Sequence, residues 1–213
     1  MPTRQPRPRR DFVAIDFGTS NSAVALPRAS GGVQLVALES GFPTMPTAVF
    51  YRADTPPQQV QPERLYGRAA VAAYVEGIDG RLMRSMKSIL GSSLLEQSTD
   101  IGAGRAVPYR DVISGYLRRL KHLAEAEAGH ALTRAVLGRP VFFVDNDPRR
   151  DALAQAALLA AAQQAGFKQV QFQFEPIAAA SKAPPAPQPA SSTRAPSFAS
   201  QAAASSAASS PAR

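Results

Sequence analysis

The chain has 213 residues, no cysteine, two histidines and a formal net charge of +8, which allows one or two domains and excludes disulfides, thiolate metal sites and cysteine nucleophiles. The charge does not point to nucleic acid: four Arg lie in residues 1–10, Lys182, Arg194 and Arg213 lie in 181–213, neither segment holds an acid, and residues 11–180 keep 17 basic against 16 acidic groups. A nearly neutral folded part offers no basic groove, and no run approaches the ~20 apolar residues of a membrane span.

Residues 1–10 are rich in Arg and Pro without an apolar stretch, so they read as a disordered basic arm rather than a secretory signal. Residues 12–16, 22–27 and 33–38 are short β-type runs separated by turn signals and predict three consecutive antiparallel strands. The first turn, Asp16-Phe17-Gly18-Thr19-Ser20-Asn21-Ser22, is the stretch with chemistry in it. Gly18 allows close approach of backbone to a ligand, and the hydroxyls with freed N–H groups can face phosphate oxygens. Asp16 at a strand end is placed to hold a divalent cation or its water shell. These residue types also make ordinary hairpins, so both readings stand for the turn alone.

Phe42 to Thr47 reads as a stiff extended connection, because each residue before a proline is pushed out of the helical region. Ala48 to Tyr51 reads as a strand, 53–64 as a polar surface loop and Arg68 to Val75 as a helix with Ala69, Ala70, Ala73 and Tyr74 near one face. Arg81 to Gly91 is basic and partly apolar and contains Lys87. Tyr109 to about His130 is the longest helix, with Val112, Ile113, Tyr116, Leu117, Leu120 and Leu123 as its apolar stripe and Arg118, Arg119, Lys121, Glu125 and Glu127 as its solvated face.

Residues 135–144 predict a strand that carries Pro140. Asp147-Pro148 is a helix start, with a carboxylate N-cap and proline at the first position, and Gly166 marks the end of that helix. Residues 169–174 alternate, with Val170, Phe172 and Phe174 on one face. The strand, helix, strand order predicts a crossover and therefore a parallel pair. Glu175-Pro176 opens what reads as another helix, after which 181–213 contain 11 Ala, 9 Ser and 6 Pro and no acid. Such a segment cannot bury enough apolar surface to offset its ordering entropy and reads as disordered.

Taken in order, Ile15 to Ser22, Thr44 to Phe50, Met86 to Gly91, Leu137 to Phe143, Ala165 to Phe167 and Phe174 to Ala179 resemble the nucleotide-binding domain of the seventy-kilodalton heat-shock chaperones, most closely the YegD-like chaperones of that group. The resemblance covers 11–180. It implies an α/β, actin-like ATPase (ribonuclease H-like) fold with a mixed sheet and flanking helices, of which this chain carries the first lobe. It also implies ATP and magnesium as ligands, with Asp16 organising the metal and Gly18, Thr19, Ser20 and Asn21 at the phosphates. Lys87 would orient the attacking water or stabilise charge on the γ-phosphate, and Glu175 would sit near the metal and water network. Pro140 and Arg150 match positions that relay nucleotide state to a substrate domain, the latter across a differently spaced loop. Unfolded client proteins and co-chaperones are the partners so implied, and a cytoplasmic protein is expected.

Read without the resemblance, Lys87 is a solvated helix residue, Glu175 a helix-start acid favoured by the dipole and Pro140 a bulge former. The family's second phosphate segment, a strand ending in Asp with a glycine-rich turn and Thr, is not found after 180. A truncated or frameshifted product is expected, with a short paralogue as the alternative and little activity in isolation. Two other readings share the fold: half of a sugar- or acetate-kinase-type enzyme, and a non-catalytic actin-like structural protein.

Overall fold

Alternating apolar residues build the centre of the molecule. In strand β1 (Phe12–Phe17) Val13, Ile15 and Phe17 are buried while Asp16 is exposed, and in β2 (Asn21–Pro27) Ser22, Val24 and Leu26 are buried. The computed structural model describes residues 12–54 and 62–174. The basic arm, most of the 53–64 loop, Glu175 and the Ala/Ser/Pro-rich tail lie outside the described residues.

A six-stranded mixed sheet carries the order β11-β10-β1-β2-β3, with β4 also paired to β2. β1, β2 and β3 (Val33–Leu35) form the expected antiparallel meander. β10 (Arg134–Arg139) lies parallel to β1, and β11 (Gln169–Phe174) lies parallel to β10. The crossover between β10 and β11 is helix α3 (Pro148–Gln164). Its start is as expected, with Asp147 accepting from the Arg150 N–H, and Gly166 has φ +103, the left-handed backbone that glycine adopts readily.

Helix α2 (Tyr109–Ala128) packs with α3 on one face of this sheet. Ile113, Tyr116, Leu117 and Leu120 meet Val13, Ile15, Phe17 and Val24, and Leu158 and Ala161 of α3 complete the core. This is the largest apolar burial in the molecule, and the helix exists because its stripe has this sheet to cover. A second sheet, β6-β5-β7, is formed by β5 (Ala48–Arg52), β6 (Arg64–Tyr66) and β7 (Gly80–Arg84), with helix α1 (Gly67–Val75) on it. A hairpin of β8 (Ser98–Gly102) and β9 (Arg105–Pro108) precedes α2.

Several expectations are corrected by the pairing. The connection over 42–47 contains a strand, β4 (Thr44–Pro46), because its extended backbone lies along β2 with Met45 opposite Ser22. The strand expected over 33–38 makes its ladder only at Val33–Leu35. The loop read over 53–64 already holds its last residue in β6, and 81–91 is not one segment but β7 followed by a 3-10 helix at Met86–Ile89. β10 stops at Arg139 instead of running to 144, since Pro140 has no N–H to extend a ladder. In α1 only Ala70 and Ala73 of the expected face are buried, and Tyr74 is 61% exposed. On α2, Lys121 and Glu125 are only partly solvated: they pair with one another, with side chains 14% and 22% exposed, and the Glu125 carboxylate also accepts the Leu132 N–H at 2.9 Å.

Candidate functional site

β1, β10 and β11 run in the same direction, so their carboxyl ends lie along one edge of the sheet. In parallel α/β sheets this edge is where ligands bind. Asp16 belongs to it. The inward parity of Val13, Ile15 and Phe17 turns Asp16 to the opposite face, where it is exposed beside a shallow cleft of about 400 Å³. Ala14, Ala23, Gly138, Gln173 and Phe174 line the same cleft. The sheet therefore gathers the Asp16 carboxylate with the residues that immediately precede Arg139-Pro140 and Glu175. Glu175 itself is outside the described residues.

The turn after Asp16 is held from beneath. Thr19, Ser20 and Asn21 are exposed, and a Cβ added to Gly18 would lie 2.2 Å from the Asn21 carbonyl oxygen, so the turn closes only around glycine. The Thr47 N–H donates to the Ser20 carbonyl at 2.9 Å, and its hydroxyl donates to the Gly18 carbonyl at 2.9 Å. Ser22 Oγ lies 2.9 Å from Thr47 Oγ1. Both hydroxyl residues are 1% exposed. The Tyr116 hydroxyl donates to the Pro46 carbonyl at 3.0 Å, and its ring lies 5.9 Å from Phe17. Burial pushes the Tyr116 phenol up to about 12, with the neighbouring Ser22 and Thr47 hydroxyls pulling the other way.

Strand register sets how near Lys87 follows Thr47 in the fold. Thr47 leads into β5, whose first residue Ala48 pairs with Arg84 at the end of β7. Ser85 then takes φ 54, a left-handed conformation that turns the chain into the 3-10 helix bearing Lys87. Lys87 is 9% exposed, which removes the reading of a solvated helix lysine. Among non-glycine residues a left-handed backbone costs energy and is kept where the surroundings demand it.

Pro140 and Arg150 bracket a loop fixed by an ion pair that sequence reasoning missed. Arg139 is 8% exposed, donates to Asp151 Oδ2 at 2.9 Å and to the Val141 carbonyl at 3.1 Å, and lies 5.2 Å from the Phe174 ring. The Asp151 carboxylate also accepts the Phe143 N–H at 2.6 Å. Burial of Asp151 opposes ionisation, but the Phe143 N–H and Arg139 outweigh it and hold the carboxyl below its ordinary range. Arg150 Nε donates to the Gly91 carbonyl at 2.9 Å, so the structure brings Arg150 onto the segment that carries Lys87. That packing is close: a Cβ at Gly91 would lie 2.4 Å from Val144 Cγ2. Arg139 stands at an inward-facing position between apolar residues, and that misplaced charge was the available signal for a buried partner.

Among the described residues no group of three or more His, Asp or Glu could hold a metal by itself. One exposed carboxylate beside a glycine and hydroxyl turn nevertheless fits magnesium, which takes one or two carboxylates and fills the rest of its shell with water and phosphate oxygens. No described helix is long and apolar enough to cross a membrane.

An antiparallel meander continued by a parallel crossover through α3, with an Asp-x-Gly-Thr turn at the strand ends, is the mixed sheet of the actin-like ATPase fold. No protein-family model matches the chain. It is 31% identical over 195 residues to the chaperone protein HscA homolog of Laribacter hongkongensis, an alignment that takes in 82% of this chain and 28% of that protein. The HscA homolog of Azoarcus sp. is 33% identical over 199 residues, with 83% and 28% covered, and the chaperone protein DnaK of Thermosipho melanesiensis is 28% identical over 168 residues, with 79% and 25% covered. The curated homologues of the chain are chaperones of the seventy-kilodalton heat-shock family. The chain spans between 25% and 28% of the length of these relatives.

Proposed function

We propose that residues 11–180 form one side of an ATP clamp in a chaperone of the YegD-like kind, flanked in sequence by a basic arm and an Ala/Ser/Pro-rich tail. The observation that carries this reading is the turn Gly18 to Asn21, closed around glycine and set beside an exposed carboxylate at the ends of parallel strands. Its N–H groups and the Thr19 and Ser20 hydroxyls face phosphate oxygens, and Asp16 holds the water shell of a magnesium ion. When bound, that ion neutralises charge on the phosphoryl oxygens. Lys87 orients the attacking water or stabilises the negative charge that develops at the γ-phosphate, and Glu175 belongs to the metal and water network. Pro140 and Arg150 carry the state of this edge to a client-binding domain, with unfolded polypeptides and co-chaperones of the cytoplasm as partners of the whole protein.

Catalysis of phosphoryl transfer is positioning and charge stabilisation, so donors on one side of the phosphates leave most of it unmade. The 213-residue chain alone is expected to hold ATP weakly and to hydrolyse it negligibly. Calorimetry with ATP and magnesium tests this, together with an amide-shift titration of the turn. Small shifts confined to 16–22 at millimolar ATP are expected. A micromolar dissociation constant would overturn the weak-binding part, and shifts that avoid the turn would overturn the site.

A further inference from the structure

We infer that Thr47, which lies in a different strand connection from the turn, is its positioning residue, and that its hydroxyl sets the geometry of the phosphate-facing amides. Thr47 holds the turn at two places, its N–H on the Ser20 carbonyl and its hydroxyl on the Gly18 carbonyl, both at 2.9 Å. A carbonyl can only accept, so the single hydroxyl proton of Thr47 is committed to Gly18. The 2.9 Å contact with Ser22 then has Ser22 as donor, and the two hydroxyls form a directed chain from β2 through Thr47 into the turn.

The chain is closed off from water, with Thr47 and Ser22 each 1% exposed, so an unmade bond here has no solvent substitute. Its outer end is anchored rather than free. Tyr116 on α2 donates to Pro46, the residue before Thr47, and packs its ring on Phe17, two residues past Ile15 in the strand that enters the turn. The tight approach of Gly18 to the Asn21 carbonyl leaves the turn little room to relax if one tether is lost. Pulling the Gly18 and Ser20 carbonyls inward turns the intervening peptide N–H groups outward. Thr47 touches no ligand in this scheme and acts through the turn.

The consequence for affinity rests on the reading of the turn as a phosphate site; the consequence for turn rigidity does not, and the two are measured separately. In the full 213-residue chain, Thr47→Val removes the hydroxyl at nearly constant shape and Thr47→Ser restores it. Amide hydrogen exchange at Thr19 to Asn21 is expected to rise about tenfold in Thr47→Val, with α2 and α3 within twofold of the parent, and to return to parent values in Thr47→Ser. Magnesium-ATP titration is expected to follow: a weakening of about tenfold in Thr47→Val and recovery in Thr47→Ser. Unchanged turn exchange in Thr47→Val would overturn the proposal, and so would a Thr47→Ser chain whose turn is loose. If Thr47→Val loosens the helices as well, Thr47→Ser decides alone, since only a hydroxyl role protects its turn. Intact exchange effects with no ATP response in the parent would refute the phosphate site and leave the positioning role standing.

Discussion

Replacing Arg139 by Met tests whether the loop between Pro140 and Arg150 is held by charge or only by packing. The methionine stem keeps most of the buried aliphatic contact while removing the guanidinium. What is lost is read from the structure: hydrogen bonds to both Asp151 oxygens, at 2.9 and 3.2 Å, bonds to the Pro140 and Val141 carbonyls, and the ring contacts with Phe143 and Phe174. Charge-assisted bonds contribute about 1.5–3 kcal/mol each when their loss leaves a buried partner. Asp151 keeps the Phe143 N–H and a side chain 15% exposed, so water recovers part of that loss. A net destabilisation of about 2–3 kcal/mol follows. With a urea dependence of roughly 2 kcal/mol per molar for a domain of this size, the midpoint falls by about 1–1.5 M.

Urea unfolding followed by far-ultraviolet circular dichroism is the assay, run on Arg139→Met, Asp151→Asn and the double variant. The double variant is expected to lose at least ~1 kcal/mol less than the sum of the singles, because each single leaves an uncompensated charge and the double variant leaves none. A coupling below about 0.5 kcal/mol would refute the argument that the pair fixes the loop. The pH dependence has a definite sign. Asp151 has a folded-state pKa below its ordinary 3.8, so it binds fewer protons folded than unfolded. Its stabilisation is present above that ordinary value and is lost as the pH falls from 3.8 through the depressed value. Arg139→Met should flatten this acid limb.

Gly18→Ala places a methyl 2.2 Å from the Asn21 carbonyl oxygen. It should destabilise the chain by about 1–3 kcal/mol and shift the amide signals of 18–22 while leaving those of α3 in place, which a pair of heteronuclear spectra would check. Leu117 is fully buried between α2 and the sheet, and Leu117→Ala should cost about 2–5 kcal/mol in the same urea assay; a loss under 1 kcal/mol would contradict the packing of α2.

The long periodic elements were legible because their signal is internal. The β1–β2 turn needed only alternation and a glycine. The stripe of α2, the Asp147-Pro148 start of α3 and the alternation of β11 each hold within one segment. The ordered motifs pointed to the family, and the relatives of that family match over most of the chain. The short strands β4, β6, β8 and β9 were not legible, since three to five residues carry no period and become strands only when a partner edge is supplied.

Sequence by itself singled out the candidate residues: Asp16 at a strand end, the Gly18 turn, Lys87 in a basic apolar segment, Pro140 and Arg150 around a loop. Only the tertiary structure decided what holds them. Thr47 is distant in sequence from Gly18, and its hydroxyl matters because β4 lies along β2 and β5 turns away from it. Lys121 looks like a surface charge in a string of letters and becomes a partly buried one when α2 meets Phe167, and Arg139 gains its carboxylate partner only when β10 lies inside the sheet. Burial is a property of the whole packing, and a hydroxyl or charge acquires its partner only once water has been removed from around both.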